Sequence, residues 1–161
     1  MTDRQPPESM KDVASLLISS NMATPENIVP CTPREVEEVH EATGVEQLPK
    51  QYEDFLLTMG RRAGHLLHGT DFFYPSIVEL ADEMRELLEE CGVTHLVQPG
   101  SVLLGMHQGG ELYWMEPGEP SGAVFLYIEN DDSPRRNWPS LRDFLITQTK
   151  EEQAIREKYN L

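Results

Sequence analysis

The stretch SVLLGMHQGGELYWMEP, residues 101–117, decides how the chain is read. It holds two short apolar runs, 102–106 and 112–115, joined through Gly109 and Gly110. Each run has strand length, and glycines between them supply the positive φ angles that a tight hairpin turn requires. The same stretch tempts two chemical readings. A Gly-rich turn can cradle phosphate, but this one lacks the Lys-Ser/Thr pair and the following helix that make such a loop work. His107 beside Glu111 has the makings of an acid–base pair, yet that role needs a geometry that spacing alone does not supply. The plainer reading is a turn histidine in water. The hairpin is therefore read as scaffold, with glycines serving the turn and apolar residues serving a sheet.

Working outward, residues 123–129 form the next strand candidate. Ala123, Phe125 and Tyr127 alternate with Val124, Leu126 and Ile128, so both faces of that strand are expected to be covered, as in a central strand. A closing helix starts at about Ser140 and carries Leu141, Phe144 and Leu145 on one face, a stripe that fades after Ile146. On the other side of the hairpin, SIVELADEMRELLEECG predicts a helix from Ser76 to Gly92, with Ile77, Leu80, Ala81, Met84, Leu87 and Leu88 in one stripe. Phe72, Phe73 and Tyr74 suggest a short strand; three aromatics in a row cannot all be buried on one face. LPKQYEDFLLTMG, residues 48–60, predicts a helix opened by Pro49, closed by Gly60 and buried through Tyr52, Phe55, Leu56 and Met59. Before it, Thr32-Pro33-Arg34-Glu35 has the form of a capping box, and Gly44 is placed to end the helix that follows. A short helix is expected over 11–21, behind a loose polar tail at 1–10. Helices first, then a meander of strands, then a helix again make an α+β plan: an antiparallel sheet with helices packed on one face.

Composition narrows the function classes. The chain has 161 residues, 13 Lys and Arg against 28 Asp and Glu, and a formal net charge of −15. A field of that sign repels nucleic acid and anionic membrane and speeds encounter with a basic partner; its plainer use is solubility. Cys31 and Cys91 form no disulfide framework and no metal spacing, and Cys91 reads as a small buried hydrophobe at a helix end. The N-terminus lacks a secretory pattern, and no apolar run is long enough for a membrane span. A cytoplasmic chain with free thiols is the expectation.

The pieces, in order, carry a resemblance. LPKQYEDFLLTMG is similar to the helix that opens domains of the SUKH superfamily. The hairpin from Leu104-Gly105 to Met115, the strand AVFLYIENDD and the closing Ser140-Leu141-x-x-Phe144-Leu145 helix follow in matching order over roughly residues 33 to 146. Met59-Gly60 departs from the Asn-Gly usual after the opening helix, and Glu116 stands where an acidic residue often follows the hairpin. The resemblance implies a SUKH-like fold over 31–147, flanked by an N-terminal tail and short helix at 1–30 and a charged helical extension at 148–161. It implies a protein-binding module without chemistry of its own. Bacterial members commonly neutralise a toxin, often a nuclease or deaminase, by occluding its site, and a fungal member serves in signalling and scaffolding. A basic toxin domain is the partner expected here, with no cofactor, no metal and no nucleic acid.

Candidate contact residues follow from exposure and charge. Glu129, Asp131 and Asp132 end a strand, either as a solvated turn or as an acidic lip for Lys or Arg on a partner. Glu116, the acidic residue after the hairpin, is a further candidate contact. Phe73 and Tyr74 cannot both be buried with Phe72. Trp114 alternates with Tyr113, so one is expected to face in and the other out. Trp138, before Pro139, either staples the last helix to the sheet or anchors a partner. The competing enzymatic reading is a small metal-dependent hydrolase built on His65, His68 and His107 with nearby carboxylates. His65 and His68 are three apart, but no third ligand follows at a telling distance, and Gly64 and Gly69 weaken a helix there. A third reading is a domain of a larger assembly whose tails dock on neighbours.

Overall fold

Apolar alternation in the second half of the chain builds an antiparallel sheet. In the computed structural model, which describes residues 10–118 and 122–161, five strands pair in the order β3-β4-β5-β6-β7. They are β3 (Thr70–Asp71), β4 (Val102–His107), β5 (Glu111–Met115), β6 (Val124–Ile128) and β7 (Arg136–Trp138). The hairpin of β4 and β5 forms as expected, with His107 opposite Glu111. Its left-handed residues are Gln108 (φ 53°) and Gly109 (φ 75°) rather than Gly109 and Gly110. The turn closes through the Gly110 N–H donating to the His107 carbonyl at 3.2 Å. A register shift between Leu103 and Gly105 marks a bulge at Leu104. The extra residue lets Leu104 and Gly105 both turn toward the larger core. Glycine is required at 105 because a Cβ there would lie 2.4 Å from the Asp71 carbonyl oxygen, where β3 crosses.

A second, two-stranded sheet joins β1 (Ile28–Val29) to β2 (Arg62–Ala63). The helices are α1 (Lys11–Ser19), α2 (Pro33–Thr43), α3 (Lys50–Met59), α4 (Ser76–Glu79), α5 (Ala81–Glu90) and α6 (Leu141–Lys158). One face of the large sheet presents Val102, Leu104, Tyr113, Met115, Val124 and Leu126 to a core shared with α1, α2, α3 and α6. Tyr52, Phe55, Phe72 and Phe144 fill its centre with no exposed surface. Thus the α+β plan is found as read, but the expectation that helices pack on one face only is not. In addition, α5 lies against β4 on the opposite face, where Met84, Leu87 and Leu88 meet Met106, Leu112, Trp114 and Tyr127. Both faces of β6 are covered for that reason.

Local signals explain the helix ends. The Thr32 hydroxyl accepts from the Glu35 N–H at 3.2 Å, and Glu35 Oε1 accepts from the Thr32 N–H at 3.0 Å, a closed capping box. Three expectations change. The helix from Ser76 is broken at Leu80 into α4 and α5. Phe73 and Tyr74 lie in a turn, because β3 ends at Asp71 and Phe72 drops straight into the core. Met10, assigned to the loose tail, is fully buried with Val13 and Leu17; its N–H donates to Asp54 Oδ2 at 2.6 Å. The remainder of that tail, 1–9, and residues 119–121 of the turn after β5 lie outside the described residues.

Candidate functional site

The predicted contact residues do not converge on one place. Glu116 follows β5 at one end of the sheet, half-buried, while Glu129, Asp131 and Asp132 follow β6 at the opposite end. Glu129 and Asp132 are exposed. Asp131 is engaged: its carboxylate accepts from Arg135 Nε at 3.2 Å and Nη2 at 2.9 Å, and its carbonyl accepts from the Tyr127 hydroxyl at 2.9 Å. Phe73 is half-buried, with its ring 5.9 Å from Phe55 and from Phe72. The Tyr74 hydroxyl donates to Glu38 at 3.1 Å, and the Arg61 guanidinium lies 5.3 Å from the centre of its ring. Arg61 also pairs with Glu35, so this corner is a closed polar cluster of α2 and the turn after β3.

One aromatic expectation is corrected and another, left open, is decided. Trp114 and Tyr113 do not divide into one inward and one outward residue. The sheet is covered on both faces, so Trp114 is fully buried against Phe125 and Tyr127, and Tyr113 sits in the larger core. Trp114 therefore offers no surface to a partner. Trp138 is 6% exposed, with its ring edge-on to Phe144 at 4.7 Å. It is a staple between β7 and α6, capped from outside by Arg136 at 4.6 Å.

The histidines also separate. Residues 64–69 form turns, with Leu67 left-handed at φ 53°, so His65 and His68 do not share a helical face. Among the described residues, no group of three or more His, Cys, Asp or Glu is placed to hold a metal ion. His107 is half-buried at the end of β4, with Nδ1 2.9 Å from the Thr70 hydroxyl across the β3–β4 pair. Cys91 is half-exposed rather than buried, because α5 ends just before it at the margin of the smaller core.

The sequence reading missed a groove of about 190 Å³ on the larger-core face, between the hairpin end of the sheet and the outer half of α6. His107 and Glu111 come to it from the hairpin, His68 from the turn before β3, Thr70 from β3, and Glu151 and Glu152 from α6. Tyr113 lines its floor. Burial, and then the nearby Glu111 carboxylate, raise the Tyr113 phenol above the ordinary tyrosine range, while Arg136 opposes them. Arg136 in turn binds Glu151 at 3.0 Å. The signal in the sequence was helical phase: Gln148, Glu152 and Ile155 continue the stripe of Leu141, Phe144 and Leu145. Polar residues on that stripe made it read as fading.

The segment that carries this α+β domain, from the Thr32 cap into α6, is also the segment a family model matches. The SMI1 / KNR4 family (SUKH-1) model matches residues 30–147. The chain belongs to this family. Searches among curated proteins and among solved structures returned no match. The SUKH-1 match begins just before the Thr32 cap and ends inside α6. It leaves out α1, which fills one wall of the core, and the part of α6 that walls the groove. Among the described residues, no helix of this SUKH-1 member is long and apolar enough to cross a membrane.

Proposed function

We propose that this SUKH-1 protein is a non-enzymatic binding module, an immunity protein that holds a basic toxin domain in the cytoplasm and occludes its active site. The observation that carries the reading is family membership joined to a net charge of −15. A strongly negative surface raises the association rate with a cationic nuclease or deaminase and rejects acidic competitors. The reading needs no cofactor. It draws support from a sheet whose aromatic residues are spent on packing and from α5, whose exposed residues Asp82, Glu83, Glu86, Glu89 and Glu90 are all carboxylates.

The test is calorimetric titration of the purified protein with a candidate basic toxin domain, at about 50 mM and about 500 mM salt, paired with an assay of the toxin's activity. Tight binding that weakens at high salt, with loss of toxin activity at equimolar ratio, is the expected result. Binding that leaves the toxin active would move the reading to signalling or scaffolding. Absence of binding to the cognate domain at either salt would overturn it.

A further inference from the structure

We propose that the groove between the hairpin end of the sheet and the outer half of α6 is a receptor for one arginine or lysine side chain of a protein partner. This inference rests on the reading above and locates the contact within it. Three observations lead to it. First, α6 runs on past its last apolar core residue, Leu145, with one edge of its inward stripe along the cavity. Positions 141, 144 and 145 are buried in apolar contact and Thr149 is still fully buried, while Gln148, Glu152 and Ile155, along the edge of the same stripe, line the groove. A helix that lays such an edge along a cavity leaves that edge for something else to cover.

Second, the lining has the two parts that a long cationic side chain requires. Leu67, the Tyr113 ring and Ile155, which is 48% exposed, offer carbon surface to a hydrocarbon stem. Glu111 and Glu152 offer carboxylates to its charged end, and among the described residues neither of them forms a salt bridge. Glu151 is already held by Arg136, which shows that a guanidinium is accommodated at this rim. Third, the charge runs one way. The cavity holds three carboxylates and two imidazoles, and it lies in a molecule of net charge −15, so the occupant it selects is cationic. Four of the ten residues that line the groove come from α6 beyond the family-matched segment, which makes it a feature of this chain's own partner choice.

The experiment uses the full chain and an acetyl-tetra-arginine amide peptide, read by backbone amide shifts and by calorimetry. Shifts should concentrate at 107–113 and 148–155. Glu111→Gln/Glu152→Gln should weaken binding about tenfold. Ile155→Ala, a surface change that leaves the charge alone, should weaken it severalfold. Glu86→Gln/Glu89→Gln removes the same charge from the exposed face of α5 and should change affinity less than twofold. Equal losses from the two double variants would show diffuse attraction and overturn the groove, while leaving basic-partner binding in place. Shifts centred elsewhere, or undetectable binding of the peptide by the wild-type chain, would also overturn it. Failure of the whole protein to bind any basic toxin domain, with the peptide still seated in the groove, would count against the immunity reading alone.

Discussion

Cys31 shows how one residue's surroundings decide its chemistry. It is 4% exposed, and burial, with the Glu35 charge added and Arg61 opposing, pushes its thiol from 9.0 up to about 11. In the unfolded chain the thiol ionises first. The stability linked to this group is therefore fully present below pH 9 and is lost as pH rises through about 11. Denaturation midpoints followed over that range should fall more steeply for the wild type than for Cys31→Ala. Iodoacetamide at pH 8 should label half-exposed Cys91 well ahead of Cys31, since the thiolate is the reacting form; mass spectrometry resolves the two. Gly105 makes a second case. Gly105→Ala pushes a methyl group into the Asp71 carbonyl and the Phe72 ring, and should cost about 1–3 kcal/mol in urea titration. Neither environment was legible from the residues. Cys31 was read only as lacking disulfide or metal spacing, and the need for glycine at 105 depends on β3, which contributes only two residues.

At the scale of elements, legibility followed the strength of local chemistry. The α2 capping box was readable because both of its hydrogen bonds run between neighbours in sequence. Thr32→Ala removes the acceptor for the Glu35 N–H and should lower stability by about 1 kcal/mol, measured by thermal or urea unfolding. β5 was read closely, since its continuous apolar run is bounded by a turn at one end and by Pro117 beyond the other. The segment at 72–74 misled because aromatic content favours strands, while the tertiary contact of Phe72 with Phe55 and Phe144 decides its path. α6 misled by composition: its inward stripe turns polar before the helix ends. Trp138 joins β7 to α6 through Phe144, so Trp138→Ala should cost about 3–5 kcal/mol and expose the helix start to faster amide exchange.

For the whole molecule, the fold class and the family emerged from the order of motifs, while the groove did not. Its walls come from residues 67–70, 107–113 and 148–155, and only folding brings those together. Single contact residues were poorly legible for a related reason. Exposure depends on what covers each face, and α5 covers the face to which Trp114 had been assigned an opening. Charge, in contrast, needs no fold to be read. Association with a basic partner should slow about tenfold or more between low and high salt, while dissociation changes less; stopped-flow mixing separates the two.

The packing of α1 has a practical side. Met10, Val13 and Leu17 form one wall of the main core, although they precede the family-matched segment by a dozen residues or more. A polypeptide trimmed to 30–147 would open to solvent the apolar faces of α3 and α6 that α1 covers. We expect such a fragment to clump on purification, to bind the dye ANS, and to regain solubility when a separate peptide spanning 10–23 is supplied. The border drawn by kinship is thus not the border at which this molecule can be cut.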